Sequence, residues 1–154
     1  IEADPNTIVK IKTEANAHDA KGEGRRFHSM FIALGAVHHA FSLMQKFVAI
    51  DGTFTKNWFI QILLLAVGMD AEDQLIVLAW ASVPNECEEM WQWFLELLVL
   101  AFPSMDSKDC VIINDRRKGL INAVTEKVPE AFNAICCWHI ASNVQMRFGL
   151  AAKK

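Results

Sequence analysis

Two acidic residues stand at the ends of short apolar runs and are the first candidates for chemistry. Asp51 follows residues 47–50, and Asp115 ends the β-branched run 109–115. A buried strand that ends in a carboxylate holds the acid still at the rim of a sheet, which suits a metal ligand. Each acid also has a plainer interpretation. An Asp-Gly pair is a common hairpin turn, and Asp115 can cap a helix that starts near Lys118.

Three basic residues and a Cys–His pair follow the second acid in the sequence. Arg116, Arg117 and Lys118, the basic triplet, place positive charge where a phosphate backbone would run, although such triplets are also common on solvated surfaces. Cys136 and His139 have the C-x-x-H spacing of half a zinc site. A tetrahedral zinc site needs two more ligands, and the sequence offers no second pair of this kind.

The order of the apolar segments decides whether the two acids meet. Three strand-like runs follow one another with connections too short to cross a sheet, so they predict an antiparallel meander. A helix from Asn85, its expected cap, to Phe102 then allows the strand 109–115 to return parallel to the first run. The three runs span residues 46–54, 58–69 and 74–83.

This arrangement predicts a cation site. Parallel neighbours would place Asp51 and Asp115 at the same edge of the sheet, about 5 Å apart. Two carboxylates at that separation repel each other unless they are protonated or bridged by a cation. Mg²⁺ prefers such oxygen ligands and keeps its other positions for water and phosphate.

The remaining segments complete a predicted α/β order of βββαβαβα. They are a helix at 118–127, a strand at 131–138 and a helix at 141–148. Upstream, apolar residues of 27–41 recur at three- and four-residue steps and predict an amphipathic helix. We interpret residues 1–26 as a linker or a piece of an upstream region, and residues 27–154 as the domain.

Composition limits the classes of protein. The 154 residues are 53% hydrophobic, enough for one domain with a core, and the net charge of -3 provides no general attraction to nucleic acid. Four cysteines, two of them adjacent, favour a reducing compartment over a disulfide framework. The apolar runs are shorter than the roughly 20 residues that cross a membrane. Because the chain begins at Ile1, we expect a fragment of a longer protein.

Several motifs occur together and in one order. They are Phe31-Ile-Ala-Leu-Gly-Ala, Ala49-Ile-Asp-Gly-Thr-Phe-Thr-Lys, Leu78-Ala-Trp-Ala-Ser-Val-Pro-Asn-Glu, Trp91-Gln-Trp-Phe, Asn114-Asp-Arg-Arg-Lys-Gly-Leu and Cys136-Cys-Trp-His. In this combination the chain from about residue 27 to 143 resembles the transposase domain of Mutator-like elements (MULE). The resemblance implies a ribonuclease-H-like fold and a DDE-type transposase, which cuts DNA ends and joins them to a target with two Mg²⁺ or Mn²⁺ ions.

The resemblance also implies roles for individual residues. Asp51 and Asp115 correspond to the first two metal-binding catalytic acids, and Cys136 and His139 match a supporting C-x-x-H motif. We expect Lys56 and the basic triplet to bind DNA. Transposon ends and target DNA are the implied partners, a homo-oligomer is compatible with the family, and the implied compartment is the nucleus.

One element of the family's pattern is missing. Its third acid is a Glu on a helix well beyond the C-x-x-H motif, and no acidic residue follows His139 in this chain. We interpret Glu88, Glu89 and Glu96 as cap or surface residues, and expect the chain alone to be inactive. Two other functions remain open: a domesticated, DNA-associated transcription regulator without catalysis, as among the far-red-response regulators of plants, and a stand-alone ribonuclease-H-type nuclease.

Overall fold

A computed structural model describes residues 4–18, 25–55 and 61–149 of the chain. Within these residues, seven strands form one mixed sheet in the order β1-β2-β5-β4-β3-β6-β7. The strands are β1 (Ile8–His18), β2 (Arg25–Ala33), β3 (Phe47–Phe54), β4 (Ile62–Met69), β5 (Leu75–Val83), β6 (Val111–Asn114) and β7 (Phe132–Ile135). The helices are α1 (Gly35–Phe41), α2 (Glu88–Ala101), α3 (Lys118–Lys127) and α4 (Cys137–Phe148).

The second part of the chain has the predicted order of elements. β3, β4 and β5 form an antiparallel meander, and α2 provides the crossover after which β6 pairs parallel with β3. β7 then pairs parallel with β6. The predicted α/β class and the order βββαβαβα from residue 47 onward are therefore confirmed, and the parallel return of β6 brings the two candidate acids to one edge.

The core lies between one face of this sheet and α2. Alternate residues of β4, including Leu64 and Ala66, are fully buried, as the period of two in a strand requires. Trp91 and Phe94 of α2 belong to the same core and have 1% and 0% of their surface exposed. Phe94 packs edge-on against Phe31 of β2, with ring centroids 5.6 Å apart. This packing holds α2 against the sheet.

The first part of the chain differs from the prediction. The expected helix at 27–41 is wrong over its first half, because residues 25–33 form β2 and only 35–41 are helical. The segment also contains a run of four consecutive apolar residues, 30–33, which a strand accommodates, and pairing with β1 and β5 selects the strand. Residues 8–18, read as part of a linker, form the edge strand β1. The proposed division into domains stays a prediction.

Three boundaries also move. α2 begins after Cys87 with no side-chain cap, so the Asn85 cap is wrong. β7 is shorter than predicted and α4 begins at Cys137, so Trp138 and His139 belong to the first turn of that helix. Residues 58–60 of the second predicted run lie outside the described residues, as do residues 1–3 and 19–24 of the predicted linker. Where the structure describes the chain, none of its helices combines the length and apolar character of a membrane span.

Candidate functional site

The surroundings of Asp51 differ from both interpretations of its sequence. β3 neither ends at Asp51 nor turns at Gly52, but continues to Phe54 while paired with β4. Of the residues of β3, only 47–49 pair with β6. Beyond Ala49, β3 therefore keeps a described neighbour on one edge alone, and Asp51 lies where its parallel neighbour has ended.

Asp115 occupies the matching position at the end of β6. Ala49 pairs with Ile113, so Asp51 and Asp115 each lie two residues beyond this pair. Because side chains alternate along a strand, the two acids lie on the same face and at the same edge of the sheet. The alternative role of Asp115 as a helix cap is wrong, since the N-cap residue of α3 is Arg117.

The two carboxylates are held in the same way by the backbone. The Gly52 N–H donates a hydrogen bond to Asp51 Oδ1 at 2.9 Å, and the Arg116 N–H donates one to Asp115 Oδ1 at 2.6 Å. Their exposure differs, since the side chain of Asp51 is 58% exposed and that of Asp115 only 19%. Each carboxylate retains a second oxygen for another partner.

His139 contacts the first of these acids. It lies in the first turn of α4, and its Nε2 is 3.9 Å from Asp51 Oδ2. Its Nδ1 is buried and has no hydrogen-bond partner among the described residues. Cys136, the N-cap residue of α4, donates its backbone N–H to the Asn114 carbonyl at 2.8 Å. The end of β6 thus positions α4, and with it His139, over the acid edge.

A third carboxylate, Glu86, lies close to this edge on the connection between β5 and α2. Its side chain is only 8% exposed and packs against Gly52, where a Cβ atom would lie 3.2 Å from Glu86 Oε1 and 3.3 Å from Oε2. The sequence alone does not single out Glu86, although it closes the motif that begins at Leu78. Glu88, Glu89 and Glu96 are exposed, in agreement with their interpretation as surface residues.

The members of the basic triplet have different surroundings. Arg117 forms an ion pair with Glu86, and its Nε lies 3.4 Å from Asp115 Oδ2. Arg116 and Lys118 are exposed. An open cavity of about 570 Å³ is lined by Asp115, Arg116, Arg117, Ile121 and Asn143. Lys56, the fourth residue expected to bind DNA, lies outside the described residues.

The ligand types suit a hard cation but form an incomplete set. Mg²⁺ is commonly held by one or two carboxylates together with substrate phosphates, and Asp51 and Asp115 supply two. The described part of the chain contains no group of three or more His, Cys, Asp or Glu side chains placed to hold a metal ion. Among the residues that the structure describes, neither the two acids nor Cys136 and His139 belong to such a group, so neither set forms a closed metal site by itself.

Comparison with known proteins identifies the family. The model of the MULE transposase domain matches residues 47–143, which include both acids, Glu86, Arg117 and His139. Protein FAR-RED IMPAIRED RESPONSE 1 from Arabidopsis thaliana is 25% identical over 132 residues, which are 86% of this chain and 16% of that protein. The chain thus spans only a small part of the length of this relative. The match to more than half of the chain shows that it belongs to the MULE transposase domain family.

Proposed function

We propose that this chain is the first part of the catalytic core of a Mutator-like DDE transposase, which cuts DNA and joins it to a target. The observation that carries the proposal is the matching position of Asp51 and Asp115, two residues beyond a paired position of parallel strands. Neither a hairpin turn nor a helix cap accounts for this pairing of acids. The family to which the chain belongs supports the same conclusion.

We further propose a ribonuclease-H-like arrangement of the sheet. Its support is the central strand order β5-β4-β3-β6-β7, in which three antiparallel strands are followed by two parallel ones. β1 and β2 extend this order at the β5 edge. They lie far from the acid edge in the strand order and leave it open to a DNA strand.

In the proposed reaction, Asp51 and Asp115 hold divalent cations, Mg²⁺ or Mn²⁺. Such ions would activate water or a 3′ hydroxyl group and stabilise the leaving oxygen. His139 Nε2 faces Asp51 and can orient that carboxylate or hold a proton beside it. Arg116 and Lys118 are exposed at the same edge and can contact phosphate, as proposed for Lys56. With a net charge of -3, the attraction to DNA must be local.

The isolated chain should bind Mg²⁺ weakly and leave DNA uncut. No acidic residue follows His139 in it, so the sequence offers no match to the third acid of the family. For the longer protein we propose transposon ends and target DNA as partners, the nucleus as the compartment, and an assembly that can include several copies.

A second candidate is a transposase-derived regulator that associates with DNA without cutting it. The similarity to a protein named for an impaired far-red response favours it. The presence of both acids, each fixed by a backbone hydrogen bond, favours the enzyme. The two candidates share the fold and the nucleic-acid partner and differ in whether the acids do chemistry.

The deciding experiment is Mg²⁺-dependent cleavage of transposon-end DNA by the longer protein that contains this chain. Asp51→Asn and Asp115→Asn should each lower cleavage by more than about 100-fold, because groups that merely support metal ligands already contribute roughly 10- to 100-fold. Asp109→Asn, which changes an exposed acid just before β6, is the matched control and should cleave normally. Full cleavage by both site variants would refute the proposal. DNA binding without cleavage by the unaltered protein would favour the regulator.

A further inference from the structure

We propose that Arg117 is the resident cation of the acid site, that Glu86 holds it there, and that a divalent cation reaches Asp115 by displacing it. The inference deepens the proposed function, because it concerns the acids to which that function assigns metal binding. It assigns a role to Glu86 and separates Arg117 from the neighbouring DNA-binding candidates.

The first support is the burial of Glu86. A carboxylate with 8% of its side chain exposed is costly unless a cation compensates its charge. Arg117 supplies that cation through the ion pair between its Nη1 and Glu86 Oε2. Gly52 leaves room for this carboxylate, since a larger residue would place its Cβ within 3.3 Å of both carboxylate oxygens.

The second support is the other contact of the same guanidinium. Arg117 Nε lies 3.4 Å from Asp115 Oδ2, on the carboxylate whose Oδ1 already accepts the Arg116 N–H. Arg117 therefore occupies the remaining oxygen of Asp115, which a metal ion would also need. A planar guanidinium can contact two carboxylates at once in a fixed geometry. The ammonium group of a lysine lacks this fixed arrangement of donors.

The third support is that Arg117 can leave without unfolding its helix. Its backbone is fixed, because the Arg117 carbonyl accepts the Ile121 N–H at 3.0 Å in the first turn of α3. Its side chain is 54% exposed, so rotation of the side chain alone moves the guanidinium into the solvent-open cavity. Arg117 is thus a positioning residue that neutralises Asp115 until a divalent cation takes its place.

The test is a Mn²⁺ titration of the 154-residue chain without DNA. Binding is monitored by NMR through the paramagnetic broadening of the backbone amide signals of Gly52 and Arg116. These two N–H groups donate to the two acids and report binding directly. We expect Arg117→Gln to tighten Mn²⁺ binding about fivefold, which corresponds to the roughly 1 kcal/mol of a partly exposed ion pair. Arg116→Gln removes the same charge at the adjacent position and should change the affinity by less than about twofold.

A double-mutant cycle isolates the part played by Glu86. In a Glu86→Gln background the guanidinium has lost its anchor, so Arg117→Gln should tighten binding by a clearly smaller factor than in the unaltered chain. Arg117→Lys keeps the positive charge but lacks the planar guanidinium that contacts two carboxylates. It provides a second variant should Arg117→Gln disturb folding. It should tighten binding less than Gln would, and wild-type affinity in the Lys variant would count against the inference.

Several outcomes overturn the inference: equal tightening by Arg117→Gln and Arg116→Gln, unchanged or weaker binding in Arg117→Gln, or no broadening at either amide. The cleavage assay separates these failures from failure of the proposed function. If Asp115→Asn abolishes cleavage while Arg117→Gln leaves Mn²⁺ binding unchanged, only the inference fails. If Arg117→Gln tightens binding while Asp115→Asn still cleaves, only the transposase proposal fails.

Discussion

The contact between α3 and α2 depends on the absence of a side chain at Gly119. A Cβ atom there would lie 3.2 Å from Cβ of Glu88, 3.3 Å from its backbone nitrogen and 3.4 Å from its Cα. These atoms belong to the backbone or to the first side-chain carbon of α2, so they cannot move aside as the end of a flexible chain does. The same contact sets the distance between Arg117, just before α3, and Glu86, just before α2.

Two substitutions at Gly119 should have different effects. Alanine gains up to about 1 kcal/mol of helix propensity, which offsets a contact that is a few tenths of an ångström too short, so the net change should be small. Valine adds two more carbons in a space bounded by backbone, and overpacking of this kind costs roughly 1–3 kcal/mol. We expect Gly119→Val to lower the free energy of unfolding by about 2 kcal/mol and the Tm by about 4–8 °C in a chain of this size.

Urea and thermal unfolding, followed by circular dichroism, measure both quantities. Lys118→Val is the matched control, because it introduces the same residue at the exposed preceding position and should change stability by less than about 0.5 kcal/mol. The reasoning that backbone contact with α2 limits this position would be refuted by either of two results. Gly119→Val could be as stable as the unaltered chain, or Gly119→Val and Lys118→Val could lose the same free energy of unfolding.

Two further predictions concern the core. Phe94 is fully buried and packs edge-on against Phe31, so Phe94→Ala should lower the free energy of unfolding in urea by about 3–5 kcal/mol. Burial raises the pKa of the Cys110 thiol, an effect that the positive charge of Lys46 partly opposes. The folded state therefore keeps the proton to higher pH than the unfolded state, and stability should fall as the pH rises above about 8.5, the ordinary pKa of a free thiol. Cys110→Ala should remove this part of the pH dependence, and a disulfide-exchange reagent should label exposed Cys87 much faster than Cys110.

Local sequence was sufficient for the elements that carry the acids. The strands β3, β4 and β5 are apolar and are separated by short connections. Because such connections cannot cross a sheet, their length alone predicts an antiparallel meander. A helix long enough to cross the sheet then makes a parallel return possible. Asp51 and Asp115 were identified as candidates because each stands where an apolar run of the sequence stops. The prediction of a helix was wrong for residues 25–33, because pairing with β1 and β5 overrides the helical spacing of the apolar residues.

Only the tertiary structure places the charges around these acids. Glu86 and Arg117 are 31 residues apart and meet because α2 and α3 pack closely through Gly119, while Gly52 leaves room for the carboxylate. No local pattern distinguishes Arg117 from Arg116, since the two differ only in which neighbours the fold brings to them. The sequence by itself thus determined which acidic residues are the candidate metal ligands. The fold decided which side chains surround these acids, Arg117 beside Asp115 and His139 beside Asp51, because burial and ion pairing depend on contacts between distant segments.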